Sequence, residues 1–396
     1  MEKASTSGLE GRGGLLHKSA TSQEVHWMTG SALEAHCALV ARGAAAWERD
    51  RHYPLDAMRE AGGSGLAGML TPRESGGLGL ALGEACDIVS RIAAEDFGHA
   101  FALKVHANMT ASLARSGSEE LIARHLDDLL HARRIGAFLL TEPGAGSDAA
   151  AITASARPDG DDWVLNGEKA WVTNGVAAGV LLVYLQTDPS QGWRGIAGFL
   201  VDADTPGIAR TDPYVLLGGH SAGVCGFSFS SARVDHAAMI LAPGDAFRTA
   251  MRGINAARAG VAAMCCGMAG AALDQALDRV ASRDAFGRTI GDFQGVQWML
   301  ADVATDLRAA RLLTHDATAA FESGEDVQVA CAHAKKFATR MAWKAISDCM
   351  QVMGARGFRG DDGHSLTRHL ACARMAHWLD GATEVQNVVI ARSLVR

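Results

Sequence analysis

The spacing of apolar residues changes twice along the chain and divides it into three regions. In residues 25–135 the apolar positions recur every three or four residues, which predicts packed helices. One such stripe consists of Leu33, His36, Cys37, Val40 and Ala44. The glycine-rich segment 76–79 predicts a loop between two of these helices.

In residues 136–243 the period shortens to two, which is typical of strands. The strand-like runs bounded by turn residues are 180–185, 196–201 and 225–229. From residue 244 helical spacing returns and continues to the C-terminus. The residues that share one helix face there are Val296, Leu300, Val303 and Leu307. Small residues in 260–272 predict a helix that its neighbours approach closely.

This order of periods predicts an α+β chain of several domains. Its predicted parts are a flexible tail at 1–24, an N-terminal helical domain at 25–135, a central β domain at 136–243 and a C-terminal helical region at 244–396. The first 24 residues are rich in Ser, Gly and Ala and lack the apolar segment of a secretory signal. We therefore interpret them as a loose tail or an added extension.

Composition limits the possible functions. With 396 residues, 48% of them hydrophobic and 20% charged, the chain can form two or three packed units of an ordinary globular protein. A net charge of −7 at pH 7 argues against a nucleic-acid surface. The chain lacks a run of twenty uncharged apolar residues, so no membrane span is expected. Its eight cysteines are scattered without a C-x-x-C pair, which indicates a thiol-reducing compartment, the cytoplasm.

The segment 138–148, with the sequence FLLTEPGAGSD, is the most informative one in the chain. A proline and two glycines hold an irregular backbone, Thr141 and Ser147 add hydroxyls, and the loop offers unpaired backbone N–H groups. Such a loop suits a planar, partly anionic ligand, although this composition alone is most often only a loop. Glu142 and Asp148 are interpreted as acceptors that shape the loop.

Residues 163–175 predict a hairpin in which Asn166 and Gly167 form a type I′ turn between two β-prone arms. Together with 138–148, this segment resembles the β-domain signature of the acyl-CoA dehydrogenase family, in which the loop and strand hold the flavin of FAD. Three more family-like segments follow in the expected order, which makes chance agreement improbable.

The resemblance covers nearly the whole chain after residue 25. It implies an N-terminal α-domain, a central β-barrel-like domain and a C-terminal four-helix bundle, with FAD as the cofactor. The FAD-binding residues that it implies in the first two segments are Phe138, Leu140, Thr141, Gly146, Ser147, Trp171 and Thr173. Ser147 is also expected to contact the substrate.

Two downstream segments are similar to further cofactor-binding elements of the family. Arg283, Phe286 and Gln294 belong to an R-x-x-F-G…F-Q segment, whose forked guanidinium suits a pyrophosphate. Gln351 and Gly354 belong to a Q-x-x-G element, which meets the adenosine half of an FAD bound mainly by a neighbouring subunit; the second glycine of that element is alanine here. Each segment also has a plainer interpretation, a helix end for the first and a polar helix face for the second.

Residues 373–386 resemble the family segment that carries the catalytic carboxylate just before a glycine. Most members have glutamate at that position, and this chain has Asp380. The resemblance implies that Asp380 removes the α-proton of an acyl thioester while a β-hydride goes to flavin N5, with carboxylate and ring on opposite faces of the acyl chain. It also implies that the backbone N–H at this position and a ribityl hydroxyl bind the thioester carbonyl.

Asp380 departs from the family in length. Its carboxylate reaches roughly an ångström less far than that of glutamate, and such a displacement costs about a hundredfold in rate unless the backbone compensates. Two alternatives stay open: a capping role at the helix start after Gly381, and an altered or lost activity. Some members carry the base on an earlier helix, but Ala257 occupies that position.

The resemblance assigns further residues near Asp380. Ala382 and Glu384 are expected to contact FAD, and Ala382 replaces a threonine hydroxyl. The expected substrate-binding residues, besides Ser147, are Asn255, Arg258, Leu379 and Gly381. Because Asn255 replaces a common aspartate, an acyl group on CoA and one on a carrier protein both stay open. His369 and His377 lack the spacing of helical metal motifs, so no metal is expected.

We therefore predict an FAD-dependent acyl-CoA or acyl-carrier-protein dehydrogenase that forms a trans-2-enoyl thioester. Its electrons are expected to pass to an electron-transferring flavoprotein or a similar acceptor, and the family is usually a homotetramer, a dimer of dimers. Two other functions are considered: a flavin monooxygenase or oxidase on the same fold, and a non-catalytic partner of an active paralogue.

Overall fold

The computed structural model describes residues 22–325, 327–361 and 363–395, and its N-terminal part is helical. The helices there are α1 (Ser22–Arg49), α2 (Leu55–Gly63), α3 (Leu82–Glu95), α4 (Phe97–Ser116) and α5 (Glu119–Leu130). The predicted stripe on α1 faces the core, and the glycine-rich segment 76–79 lies in the loop before α3. Helix α1 already includes Ser22, and residues 1–21 of the predicted tail lie outside the described residues.

Helix α4 is buried on nearly all sides, so it carries polar side chains such as Lys104 into the interior. Asp96 caps its N-terminus by accepting a hydrogen bond from the backbone N–H of His99 at 2.8 Å. The same carboxylate accepts a hydrogen bond from the Ser221 hydroxyl of the β domain. The cap therefore also joins the N-terminal helices to the central domain.

The central region forms one mixed sheet. Its strands are β1 (Ile135–Leu139), β2 (Ser155–Asp159), β3 (Asp162–Val172), β4 (Ala178–Gln186), β5 (Ile196–Asp202), β6 (Ile208–Arg210), β7 (Cys225–Asp235) and β8 (Met239–Leu241). They lie in the order β6-β7-β3-β2-β4-β5-β8, and β1 pairs in parallel with β4. The three predicted strand runs fall in β4, β5 and β7. Alternate residues of β4 enter two different apolar clusters, which explains its unbroken apolar run.

The predicted turn at Asn166 and Gly167 is wrong. Strand β3 runs through both residues and pairs with β7, with a register shift beside Gly167. Gly167 has φ +125°, and the Asn166 side chain accepts a hydrogen bond from Ser231 N at 2.9 Å, so the pair forms a bulge. The predicted hairpin over 163–175 is therefore wrong as well, and the tight turn in this part of the chain joins β2 to β3 at Gly160 and Asp161.

The C-terminal region is a helical bundle. Its helices are α6 (Ala246–Ser282), α7 (Gln294–Ser323), α8 (Val327–Met353), α9 (Leu366–Ala376) and α10 (Thr383–Leu394). A short hairpin of β9 (Asp284–Ala285) and β10 (Arg288–Thr289) connects α6 to α7. Contacts of Cys266 with Thr314 and of Cys331 with Ala317 show that α7 runs antiparallel to α6 and α8. The C-terminal ends of α6 and α8 therefore lie at the same end of the bundle.

Helix α6 is the one helix within the described ranges whose length and apolar composition would suit a membrane crossing, and 78% of its most apolar window is buried inside the fold. Its small residues explain this burial. A Cβ added at Gly267 would lie 2.0 Å from the backbone oxygen of Ser90 on α3, and one at Gly260 would lie 1.9 Å from Lys104 Cε. The predicted close approach of neighbouring helices is confirmed.

We expect Gly267→Ala to destabilise the protein by about 1–3 kcal/mol, because the added methyl overlaps backbone that cannot move aside cheaply. Gly253→Ala on the same helix is the matched control, because nothing lies within 4 Å of its added Cβ. Alanine at that position is expected to be neutral or slightly stabilising. Thermal unfolding of both variants checks this prediction, and equal melting temperatures would contradict it.

Candidate functional site

The loop between α9 and α10 carries Asp380 in an unusual backbone conformation. Asp380 has φ +51° and Gly381 has φ +94°, so two successive residues lie in the left-handed region. This region is unfavourable for a residue with a side chain by about 1–2 kcal/mol. Such a conformation persists only where the surrounding structure holds it.

Side chains from three helices hold this loop by its carbonyl oxygens. Arg258 Nε on α6 donates to the Asp380 carbonyl at 3.0 Å. Lys335 Nζ on α8 donates to the His377 carbonyl at 3.1 Å and also to the Gly381 carbonyl. Gln386 Nε2 on α10 donates to the Gly381 carbonyl at 2.9 Å. The backbone around Asp380 is thereby tied to the bundle on both sides.

The Asp380 side chain, unlike its backbone, has an oxygen atom without a hydrogen-bond partner among the described residues. This atom, Oδ2, is buried. Helix α10 begins at Thr383 after an N-cap at Ala382 with no side-chain cap, so the alternative of a capping Asp380 is wrong. The Asp380 side chain thus neither caps α10 nor pairs its Oδ2 atom within the described part of the chain.

Three buried cations face this carboxylate. Lys104, Lys335 and Arg258 are 2%, 0% and 6% exposed, so little water screens them. Burial raises the pKa of the Asp380 carboxyl, and the positive charges of these three residues oppose the rise without cancelling it. Burial also lowers the pKa of Lys104, and it lowers that of Lys335 to about 8. The site is a desolvated carboxyl within an excess of positive charge.

Lys104 and Lys335 are the residues that the sequence analysis missed. Lys104 lies across Gly260, and its Nζ is 3.4 Å from the carbonyl oxygen of Ala256. Each lysine lies on a helix face whose other residues are apolar or small. A lysine in such a position indicates a buried charge, and this is the signal in the sequence that could have identified both residues. Periodicity alone does not tell which carboxylate such a lysine faces.

The loop after β1 is shaped by a buried ion pair. Lys169 Nζ donates to Glu142 Oε1 at 2.7 Å and to the Leu140 carbonyl at 3.0 Å. Glu142 also accepts from the backbone N–H groups of Thr153 at 2.7 Å and Ala154 at 3.0 Å. Burial raises the pKa of Glu142, but the Lys169 cation and these hydrogen bonds outweigh it and lower the pKa overall. Glu142 is thus the acceptor that shapes this loop.

The outer side of this loop and the end of β3 are open. Gly146 and Ser147 are exposed, and Thr141 is partly exposed. Trp171 has φ +59° and an indole that is 63% exposed, with one edge against Tyr214 at 4.9 Å between ring centroids. An open aromatic face beside exposed hydroxyls fits the flavin half of FAD.

The other cofactor residues predicted in this half of the site are less exposed, except for Glu384. Phe138 packs on Tyr184 with ring centroids 5.1 Å apart, and Leu140 and Thr173 are buried. Ala382 is partly buried and Glu384 is exposed, both at the start of α10.

The remaining predicted cofactor residues lie at the far end of the bundle. They are Arg283, Phe286, Gln294, Gln351 and Gly354, all of them exposed. Along α6, Arg258 and Ser282 are separated by about 36 Å at 1.5 Å per residue. Phe286 lies at the tip of the β9–β10 hairpin and is 95% exposed. Within one chain these residues therefore lie far from Arg258 and from the loop that carries Asp380.

Four of the five predicted substrate residues lie in or next to the loop that carries Asp380, and the fifth, Ser147, lies in the loop after β1. Arg258 Nη1 donates to Asn255 Oδ1 at 2.8 Å, while Gly381 and Leu379 lie in the loop itself. Next to Asn255 is an open cleft of about 680 Å³. The aromatic and cationic residues that line it are Trp193, Phe247, Arg248, Arg252 and Phe321.

The two histidines considered for a metal have other contacts. His369 Nε2 lies 3.0 Å from the Ala94 carbonyl, and His377 Nδ1 lies 3.1 Å from the Thr383 hydroxyl. Over the part of the chain that the structure describes, no cluster of three or more His, Cys, Asp or Glu side chains is suited to a metal ion.

Comparison with known proteins places this geometry in a family. Models of the acyl-CoA dehydrogenase N-terminal, middle and C-terminal domains match residues 26–133, 137–232 and 244–395. A probable acyl-CoA dehydrogenase, fadE25 of Mycobacterium leprae, is 33% identical over 358 residues, which are 90% of this chain and 92% of that protein.

Two solved structures share the fold. Butyryl-CoA dehydrogenase from Megasphaera elsdenii has a TM-score of 0.88 at 28% identity, over 96% of this chain and 100% of that one. A chain in the structure of the electron transferring flavoprotein of Acidaminococcus fermentans has a TM-score of 0.89 at 30% identity, with the same coverage. The fold, the three matched domains and the sequence identity agree, and the chain belongs to the acyl-CoA dehydrogenase family, whose members are FAD-dependent oxidoreductases acting on CH–CH bonds.

Proposed function

We propose that this chain is an FAD-dependent acyl-thioester dehydrogenase that forms a trans-2-enoyl thioester, with Asp380 as the base. The single observation that carries the proposal is the state of the Asp380 carboxyl. Its Oδ2 atom is buried and lacks a hydrogen-bond partner among the described residues, and its backbone is held by donors from three helices. A carboxylate held in this way is free to receive a proton from a ligand.

The chain's own residues account for the proton step. Asp380 Oδ2 receives the α-proton of the acyl thioester, and burial raises the pKa of this carboxyl, which makes it a stronger base than an exposed aspartate. The backbone N–H of Asp380 is the expected donor to the thioester carbonyl oxygen, where negative charge develops. FAD, when bound, supplies the acceptor for the β-hydride.

We propose that each FAD is held by two subunits. The flavin half fits the open side formed by Thr141, Ser147 and Trp171, with Ala382 and Glu384 on the side of the base loop. The distant group at the other end of the bundle, from Arg283 to Gly354, would serve the adenosine and pyrophosphate half of a neighbour's FAD. The exposed ring of Phe286 supports this arrangement, since it lacks a packed environment within its own chain. A homotetramer built as a dimer of dimers satisfies it.

We propose CoA as the carrier of the acyl group. The cleft beside Asn255 offers two aromatic rings, Trp193 and Phe247, with centroids 6.0 Å apart, and two guanidinium groups, Arg248 and Arg252. Aromatic faces suit a purine, and guanidinium groups suit phosphates. A carrier protein would present a phosphopantetheine without the adenine and its ribose phosphate.

The electron acceptor and the cellular compartment are proposed on separate grounds. We propose an electron-transferring flavoprotein as the acceptor, since the fold is shared with a chain from a structure of such a flavoprotein. All eight cysteines are free thiols, which supports the cytoplasm as the compartment.

We expect Asp380→Asn to lower the rate of flavin reduction by about 10²–10⁴-fold, because it removes the basic oxygen and preserves the side chain's size. Anaerobic stopped-flow bleaching of the flavin with a panel of CoA and carrier-protein thioesters measures this rate. The exposed Asp316→Asn is the control and is expected to reduce like the wild type.

Other results of this experiment contradict the proposal. An unchanged rate in Asp380→Asn rejects the base assignment. No bleaching of the wild type with any thioester, together with oxygen consumption, supports the oxidase or monooxygenase alternative. A protein that stays colourless after incubation with FAD supports a non-catalytic partner.

The pH dependence is a separate prediction. Since Asp380 acts when deprotonated and its folded pKa is raised, flavin reduction is expected to fall as the pH drops through a value above the ordinary aspartate pKa of about 3.9. The rate of flavin reduction at saturating thioester, measured across acidic pH on a protein shown to stay folded, checks this. A rate that stays constant down to that ordinary value contradicts it.

We expect Arg252→Ala to raise KM for an acyl-CoA by about 10- to 100-fold, which is typical for loss of a charged hydrogen bond. The same acyl group on N-acetylcysteamine lacks the nucleotide, so its KM is expected to be unchanged in this variant. Steady-state kinetics with both thioesters test the carrier assignment, and equal losses for the two would refute it.

A further inference from the structure

We infer that Lys335 is the positioning residue of the catalytic loop: it holds the two carbonyls that flank Asp380 and so determines where the carboxylate lies. The inference rests on the proposed role of Asp380 as the base. Lys335 Nζ reaches the His377 carbonyl at 3.1 Å and the Gly381 carbonyl, three residues before and one residue after the base.

The contact joins the loop to the long bundle. Lys335 belongs to α8, is 0% exposed and lies well inside that 27-residue helix. Arg258 on α6 holds the intervening carbonyl of Asp380 at 3.0 Å. Two anchors from two packed helices therefore set the position of the loop relative to the bundle, which neither α9 nor α10 alone would do.

We call the hydrogen bonds from Lys335 and Arg258 to the loop carbonyls the clamp. The clamp matters more for aspartate than for glutamate. Aspartate has one methylene between backbone and carboxyl, so rotation of the side chain cannot correct a misplaced backbone. The left-handed conformations of Asp380 and Gly381 set the direction in which that short side chain leaves the loop. A displacement of about 1 Å at a reacting group costs about a hundredfold in rate.

A purely structural role would be met more simply by an apolar side chain. Burying a lysine is costly, and a well-packed hydrophobic residue at such a position is often as stabilising. The ammonium group offers something that a methionine lacks, namely donors for two separate carbonyl oxygens and a charge beside the base. The charge also opposes the rise in the pKa of Asp380 that burial causes.

The clamp has several charged and titratable neighbours. The groups that face Lys335 are Asp380 and His377 on the loop, Arg258 and Cys265 on α6, and Glu384 on α10. Lys335 lowers the pKa of both Asp380 and His377, and of these two groups Asp380 is the proposed base. The acid limb of the pH–rate profile is the range in which flavin reduction slows as the base becomes protonated. Its position therefore reports on the contact between Lys335 and Asp380.

The test compares Lys335→Met with Lys336→Met, a neighbour on the same helix. We expect Lys335→Met to lower the rate of flavin reduction by about 10- to 100-fold at saturating thioester, while thioester affinity stays within about twofold and flavin content is unchanged. The acid limb is expected to move to higher pH, because a cation that lowers the Asp380 pKa is gone. Amide hydrogen exchange of residues 377–382 is expected to become faster, and the Lys336→Met control is expected to match the wild type in all of these.

Lys335→Gln separates the contribution of the N–H donors from that of the positive charge. It also serves as the test variant if the methionine variant does not fold. Its amide keeps N–H donors without the charge, so we expect the same shift of the acid limb and a smaller loss of rate. A rate and an acid limb like those of the wild type, in whichever of the two variants folds, overturn the inference. If Asp380→Asn reduces flavin normally, the base assignment fails instead, so the two failures are distinguishable.

Discussion

The site depends on the way in which buried cations are paired with backbone carbonyl oxygens. Arg258 and Lys335 carry full charges in the interior, and both direct them at the carbonyls of one loop. These contacts satisfy groups that would otherwise be costly to bury, and they leave the Asp380 carboxyl without a partner at Oδ2 among the described residues. The loop is held by its backbone, as the proposed role of the Asp380 side chain requires.

The same bundle also separates the two halves of the predicted cofactor site. The long α6 begins beside the β domain and ends about 36 Å beyond Arg258, so residues after its C-terminus lie far from Asp380. Exposed aromatic side chains at that end, Phe286 and Phe358, are 95% and 86% exposed in the single chain. The proposed completion of one site from two chains would account for the distance between the two motifs within one subunit.

Burial and nearby charges have opposite effects on the Asp380 carboxyl, the proposed base. Burial raises its pKa and makes it more basic, while the surrounding cations keep the ionised form accessible. Because its side chain is short, the position of the carboxylate is set by the backbone. Three side chains from separate helices meet this requirement together.

The sequence by itself determined the order of helical and strand regions and the family, because periodicity and motif spacing are local properties, and the family resemblance pointed to Asp380 as the proposed base. It misplaced the turn at Asn166 and Gly167, since a pairing of β3 with β7 across more than sixty residues turned that dipeptide into a bulge. It left the capping role of Asp380 open. Only the tertiary structure decided that question and revealed Lys104 and Lys335 at the site, because the direction of a buried charge depends on which helices pack together.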